Sequence, residues 1–214
     1  MNAPRGVIFG VDEVLIHTDD LHYQAWFSIA DRLGVPFARQ QHESLRGLTR
    51  DDGLNRILGL GATQVSRTEK ELLSDDLDGI YRDLIRGLSP AHVTPGVAET
   101  LATLRDRGMR LAAASVSRNT RVMLERTGLR DRFDAVSDGE NIVHAEPDPE
   151  MYLRAADFLA LRPGDCAVVV GTRDGVEAAR RGGFASFGLG AAAGHPDVTH
   201  PLSDLTDMLH SFVG

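Results

Sequence analysis

The chain has little of several features that would point to common functional classes. It holds one cysteine, Cys166, so no internal disulfide can form, and the apolar run around it predicts an inert core thiol. No stretch of about 18 apolar residues occurs, which argues against a membrane span. A formal net charge of -8 without a basic stripe argues against non-specific binding to nucleic acid or to an anionic membrane. We therefore expect a cytoplasmic protein with no nucleic-acid partner and no membrane association.

What is present is the composition of an ordinary globular protein. The hydrophobic fraction is 42% and the charged fraction 25%, both close to the averages for such domains. A length of 214 residues suits one α/β domain, or a core with a small second domain. We expect a monomer.

The order of the elements predicts an interrupted α/β fold. A strand at residues 6–10 is followed by helical patterns from about residue 19 to residue 86, up to a linker at 89–96 with two prolines and a glycine. Beyond it, helices at 97–107, 119–127, 149–159 and 174–181 alternate with strands at 110–114, 133–137, 166–170 and 185–189, before a last helix from Leu202 to Phe212. Such alternation predicts a parallel sheet with helices on both faces and a helical insertion after the first strand.

The first strand runs into Gly10-Val11-Asp12, which resembles the first motif of the haloacid dehalogenase (HAD) superfamily. In that family two Asp residues flank one residue, and the first Asp attacks phosphorus. Here the attacking position is Gly10, which cannot form an aspartyl-phosphate. Asp12 matches the family's general acid–base residue. Glu13 stands where a glycine usually follows.

The resemblance covers nearly the whole chain and is strongest to the β-phosphoglucomutase branch. It includes Thr18, His22 and Trp26, the segment 45–52, the linker and the segment 114–119. It implies a Rossmann-like HAD core with a parallel sheet, formed by residues 1–17 and 92–214. A helical cap, residues 18–91, would be inserted after the first strand. Thr18 and His22 would then contribute to substrate binding, whereas Trp26 is expected to pack in the cap or its hinge.

The second motif region suits an anion. By resemblance, Ser115 would hold the transferring phosphoryl group. Ser117, Arg118 and Asn119 follow at a strand-to-helix turn, where backbone N–H groups and a cation favour negative charge. The resemblance implies that they bind the substrate's second phosphate together with Arg50 of the cap. The alternative is that Ser117 and Asn119 only cap the following helix.

The third and fourth motifs depart from the family pattern. Glu146 stands before a proline where a lysine is usual, and Arg173 replaces the first of two adjacent acids, leaving Asp174. Because Mg²⁺ requires hard oxygen ligands, typically with one or two carboxylates, the losses at Gly10 and Arg173 predict no bound cofactor. Mg²⁺ would be expected only if the site is active.

The reversed charges lead to a specific geometric hypothesis. Two opposite charges in one cleft should pair, so we expect Arg173 to occupy the space of the metal and to contact Glu146, Asp12 or Asp174. The alternative is that Arg173 points to solvent.

The resulting functional hypothesis is a catalytically impaired relative of sugar-phosphate mutases and phosphatases. It would bind a phosphorylated sugar or act through a protein partner. The alternative is an active phosphatase or phosphoglucomutase-like enzyme in which Asp12 or water attacks. A third possibility is a structural partner protein whose pocket is closed.

Overall fold

A computed structural model describes residues 4–46, 48–61 and 64–212, and the side chain of Phe212 lies outside this description. The first strand, β1 (Gly6–Gly10), is central to the sheet, and its middle residues Val7, Ile8 and Phe9 are completely buried. A continuous apolar run is expected for a strand covered on both faces.

Between β1 and the linker at residues 89–96, the described part of the chain contains four α-helices. They are α1 (Asp19–Arg32), α2 (Arg39–Glu43), α3 (Arg50–Leu60) and α4 (Arg67–Ile85). α4 begins with a capping box in which Ser66 and Glu69 exchange hydrogen bonds. The sequence pattern predicted all of these helices except α2, which is only five residues long.

The core then alternates helices and strands as predicted. Its helices are α5 (Val97–Asp106), α6 (Thr120–Arg126), α7 (Glu150–Phe158) and α8 (Arg173–Gly182). Its strands are β2 (Arg110–Ala114), β3 (Ala135–Ser137), β4 (Cys166–Val170), β5 (Ala185–Gly188) and β6 (His200–Pro201). The sheet is parallel in the order β3-β2-β1-β4-β5-β6. Gly183 follows α8 as its C-cap with φ +79°, a left-handed conformation that favours glycine.

Most predicted bounds differ from the observed ones by one or two residues, and two elements differ in kind. β6 was not predicted; it begins at His200, whose ring stacks on Phe187 at 4.6 Å between centroids. The last predicted helix is a 3-10 helix, Leu205–Phe212. The predicted domain limits at residues 17/18 and 91/92 stay predictions, and residues 1–3 and 213–214 lie outside the described part.

The sheet buries a separate apolar layer on each face. Val7 and Phe9 point to one face, and that cluster continues into the cap through Trp26, Leu54 and Ile57. Ile8 points to the other face and packs with α7 and α8. The cap and the core therefore share one hydrophobic cluster, which positions the helices over the carboxyl edge of the strands.

Cys166 is buried as predicted, and burial, with a smaller effect from Asp165, raises the pKa of its thiol to about 11. None of the helices in the described ranges has the length and apolar character needed to cross a membrane.

Candidate functional site

A cavity of about 440 Å³ lies between the carboxyl edge of the sheet and the cap. Parallel sheets commonly bind ligands at this edge. Its lining includes seven of the predicted site residues: Asp12, Thr18, His22, Arg50, Ser117, Arg118 and Asn119. Five further predicted residues do not line the cavity: Gly10, Ser115, Glu146, Arg173 and Asp174. The structure thus brings the predicted binding residues together at one cavity, whereas most of the predicted catalytic positions lie outside its lining.

Both carboxylate oxygens of Asp12 already accept hydrogen bonds. Thr18 donates from Oγ1 to Oδ1 at 2.6 Å, and Ser115 donates from Oγ to Oδ2 at 3.0 Å. The Ser115 oxygen in turn accepts from the backbone N–H of Ser117 at 3.1 Å. Ser115 therefore helps to fix Asp12, and its role in holding a phosphoryl group, which the resemblance implies, stays a prediction.

Glu13 is the second carboxylate of this loop, and sequence reasoning gave it no role. Its Oε1 accepts from the backbone N–H groups of Thr18 at 3.2 Å and Asp19 at 3.0 Å. It therefore caps α1, whose own N-cap residue Thr18 makes no side-chain cap. Burial and the neighbouring Asp19 raise the pKa of Glu13.

Glu146 does not face the cavity, because its carboxylate is enclosed between α7 and α8. Tyr152 donates to Oε1 at 2.5 Å and Thr172 donates to Oε2 at 2.6 Å. Thr172 also accepts from the backbone N–H of Gly175 at 2.8 Å and so caps α8. Burial raises the pKa of Glu146, although the two hydroxyl donors oppose this shift. The contacts give Glu146 a structural role that local sequence did not indicate.

The predicted pairing of Arg173 is wrong. Arg173 and Asp174 are both exposed in the first turn of α8. Across the described residues, Arg173 forms no ion pair within 4 Å of a carboxylate. The physical reason is that hydroxyl groups already satisfy Glu146, while water solvates the guanidinium at no desolvation cost.

The residues at the family's metal position do not fit Mg²⁺. Gly10 offers no side-chain oxygen, Asp174 is exposed, and Asp12 is engaged by two hydroxyls. Within the described ranges, one group of three potential ligands has its atoms within 4.8 Å of one another, namely His144, Asp148 and Glu150. His144 and Asp148 lie on the loop before α7 and Glu150 begins that helix, so the group does not rebuild the expected site.

The far end of the cavity contains a contact that the sequence did not predict. Asn119 donates from Nδ2 to Oδ1 of Asp78 at 2.9 Å, and Nη1 of Arg50 lies 3.4 Å from the same oxygen. The Asn119 side chain makes no capping bond to α6, so the capping alternative is wrong for this residue. The sequence around Asp78 does not indicate this contact. Asp78 precedes Arg82 by four residues on α4, and that spacing predicts only an ordinary pair on the helix surface.

The cap side of the cavity holds a chain of three rings. Trp26 donates from Nε1 to Nε2 of His22 at 3.2 Å, and Nδ1 of His22 lies 3.0 Å from Nε2 of His42. Burial lowers the pKa of both imidazoles, that of His42 to about 4 with a further contribution from His22. Trp26 is 3% exposed, as the expected packing role requires. His42 carried no motif and was not predicted.

Comparison with known proteins finds relatives that match most of the chain. The family model for haloacid dehalogenase-like hydrolases matches residues 4–183. The β-phosphoglucomutase of Bacillus subtilis is 33% identical over 214 residues, which cover 96% of this chain and 94% of that protein. A phosphorylated carbohydrates phosphatase of Thermotoga maritima is 27% identical, covering 84% of this chain and 82% of that one. The crystal structure of β-phosphoglucomutase from Clostridium difficile superimposes with a TM-score of 0.88 at 26% identity, covering 98% and 97%.

The chain belongs to the haloacid dehalogenase-like hydrolase family. Within that family it is related to the β-phosphoglucomutase and phosphatase branch, which confirms the fold class that its motifs predicted.

Proposed function

We propose that this protein binds a phosphorylated sugar in the cavity and has lost phosphoryl transfer. One observation carries the proposal. The predicted binding residues surround one cavity, whereas the three altered motif positions hold a glycine, a buried glutamate and an exposed arginine. Gly10, Glu146 and Arg173 therefore cannot supply the nucleophile, the lysine and the metal ligand of an active site.

The charges at the near end of the cavity support this view. Phosphoryl transfer depends on cations that face the developing negative charge. This end carries Asp12, Glu13 and Asp19, and the lining cation Arg46 is paired with Asp19 at 2.5 Å. A transferring phosphoryl group would meet carboxylates rather than a lysine and a metal.

The alternative is an active hydrolase with a rearranged site. The observation in its favour is that Asp12 lines the cavity and is oriented by Thr18 and Ser115. Asp12 would then have to attack phosphorus itself or activate water. A cytoplasmic monomer that acts through a protein partner remains a further proposal.

Binding can be tested without a label, because Trp26 is the single tryptophan and lines the cavity. Titration with β-glucose 1-phosphate should change its fluorescence with a Kd of about 1 mM. Arg50→Ala should weaken binding. The matched control Arg56→Ala, on the exposed side of α3, should not.

Activity is measured in parallel with Mg²⁺ and p-nitrophenyl phosphate or β-glucose 1-phosphate. We expect no turnover at enzymatic rates. A rate near 1 s⁻¹, on the order of typical enzyme values, that Asp12→Ala abolished would establish the alternative. Absence of any fluorescence change, heat or thermal shift at millimolar ligand would contradict binding.

A further inference from the structure

We propose that Asp78 is a built-in competitor for the phosphate of the ligand. Its carboxylate occupies the anion position at the far end of the cavity, and phosphate reaches Arg50 and Asn119 only when Asp78 leaves them. The inference rests on the proposed function, since it concerns the same phosphate-binding groups.

The contacts of Asp78 are those of a bound anion. Its Oδ1 accepts from Asn119 at 2.9 Å and lies 3.4 Å from Nη1 of Arg50, while Arg82 contacts Oδ2. Carboxylates and phosphates take the same charge-assisted donors. Two guanidinium groups and one amide thus surround Asp78 as they would surround an oxyanion.

The pair is not an ordinary surface salt bridge. The side chains of Asp78 and Arg50 are only 18% and 24% exposed, so solvent screens their attraction less than it screens an exposed pair. By contrast, Asp76 on the same helix is 48% exposed and pairs with Arg32 at 2.8 Å. The two aspartates therefore provide a partly buried case and an exposed control within one turn of α4.

A phosphate cannot simply join this arrangement. An anion placed against Arg50 and Asn119 would lie within a few ångströms of the Asp78 carboxylate, and like charges repel strongly at that distance in a partly buried site. One of the two anions must leave. The apparent association constant for the ligand is then the intrinsic constant multiplied by the fraction of molecules in which Asp78 has released the donors.

The competition also links binding to the position of the cap. Asp78 belongs to α4 of the cap, whereas Asn119 follows β2 of the core. One turn further along α4, the hydroxyl of Tyr81 contacts Sδ of Met123 in the core at 3.4 Å. Displacing Asp78 removes its own polar contact with the core and leaves the contact between Tyr81 and Met123 in place.

The test compares Asp78→Asn, Asp78→Ala and Asp78→Ser with the control Asp76→Asn. Each protein is titrated with inorganic phosphate and with β-glucose 1-phosphate at low ionic strength, with Trp26 fluorescence and calorimetry as readouts. We expect the Asp78 variants to bind both ligands at least about tenfold more tightly than the unmodified chain. Asp76→Asn should bind like the unmodified chain.

The outcomes separate this inference from the proposed function. Binding by the unmodified chain with no gain in any folded Asp78 variant would overturn the competitor and leave the function standing. A lower melting temperature with unchanged affinity would show a purely structural salt bridge, which also overturns it. Failure of every protein to bind either ligand would overturn both proposals. Three substitutions are used so that a variant that does not fold can be set aside on its thermal melt.

Discussion

The Nδ1 atom of His22 lies 3.0 Å from Nε2 of His42, and the neighbouring indole determines how the hydrogens are arranged. Trp26 donates to Nε2 of His22, so that nitrogen carries no hydrogen. His22 must then donate from Nδ1, and His42 must accept on Nε2. Both rings are neutral in this arrangement, and protonation of either would bring two donors together.

The pair predicts that the protein loses stability in mild acid. The pKa of His42 falls from 6.5 to about 4 on folding, and that of His22 is also lowered by burial. Between pH 6.5 and about pH 4, the unfolded chain binds more protons than the folded chain. The free energy of unfolding therefore decreases as the pH falls through this range. His42 alone should contribute on the order of 3 kcal/mol. Urea unfolding at pH 7.5 and pH 4.5 measures this decrease.

The matched control replaces a histidine that lies outside this pair. His42→Phe should flatten the pH dependence, whereas His210→Gln, at an exposed position of the last 3-10 helix, should leave it unchanged. If the free energy of unfolding of His42→Phe depends on pH as strongly as that of the unmodified chain, the lowered pKa of His42 is not the cause.

A second prediction concerns the enclosed carboxylate of Glu146. Tyr152→Phe removes its 2.5 Å donor and should lower the free energy of unfolding by about 1–3 kcal/mol. The effect should shrink in a Glu146→Ala background, because the two groups act as a pair. Additive losses to within about 0.5 kcal/mol in the double variant would show that the hydrogen bond stabilises little.

The pH dependence of this site has the opposite sign to that of the histidines. Because burial raises the pKa of Glu146 above 4.5, its contribution to stability is complete below pH 4.5 and decreases as pH rises through the raised value. Glu146→Gln should remove this decrease. The comparison is made by urea unfolding of both proteins from pH 4 to pH 8, and parallel curves would argue against a raised pKa.

A third prediction separates strain from capping at Glu13. The residue has φ +61°, a conformation that costs a non-glycine residue about 1–2 kcal/mol. Its carboxylate also caps α1. Glu13→Ala loses the cap and keeps the strain, whereas Glu13→Gly loses both. We expect Glu13→Gly to be more stable than Glu13→Ala by about 1 kcal/mol in chemical denaturation. Equal stabilities would mean that the loop relaxes without strain.

A fourth prediction concerns partial restoration of the motifs. A Cβ atom at Gly10 would lie 3.3 Å from the carbonyl oxygen of Val169, so Gly10→Asp should fold after a small local shift. We expect no phosphatase turnover from it with Mg²⁺, because Glu146 and Arg173 remain. The turnover of this single variant is compared with that of the triple variant Gly10→Asp, Glu146→Lys, Arg173→Asp. A single revertant with a rate near 1 s⁻¹ would show that the remaining residues suffice for catalysis.

The local sequence determined the order and type of most elements. The bounds of β1, β2 and β4 follow from short apolar runs that begin and end at polar residues or glycine, and these were predicted without error. α2 and β6 were missed because five and two residues carry too little periodicity. The loss of the nucleophile at Gly10 is likewise a property of the sequence, since no fold can give glycine a carboxylate.

Only the tertiary structure decided where the charged side chains point. Glu146 and Arg173 were expected to pair, yet Tyr152 and Thr172 supply the donors that Glu146 needs, and Arg173 remains in water. Asp78 meets Asn119 across 41 positions of the chain. Such contacts depend on distant segments that bring a donor to a buried acceptor, and the free-energy penalty for an unpaired buried charge selects among them. That selection is invisible in the local sequence because it depends on which groups the folded chain brings together.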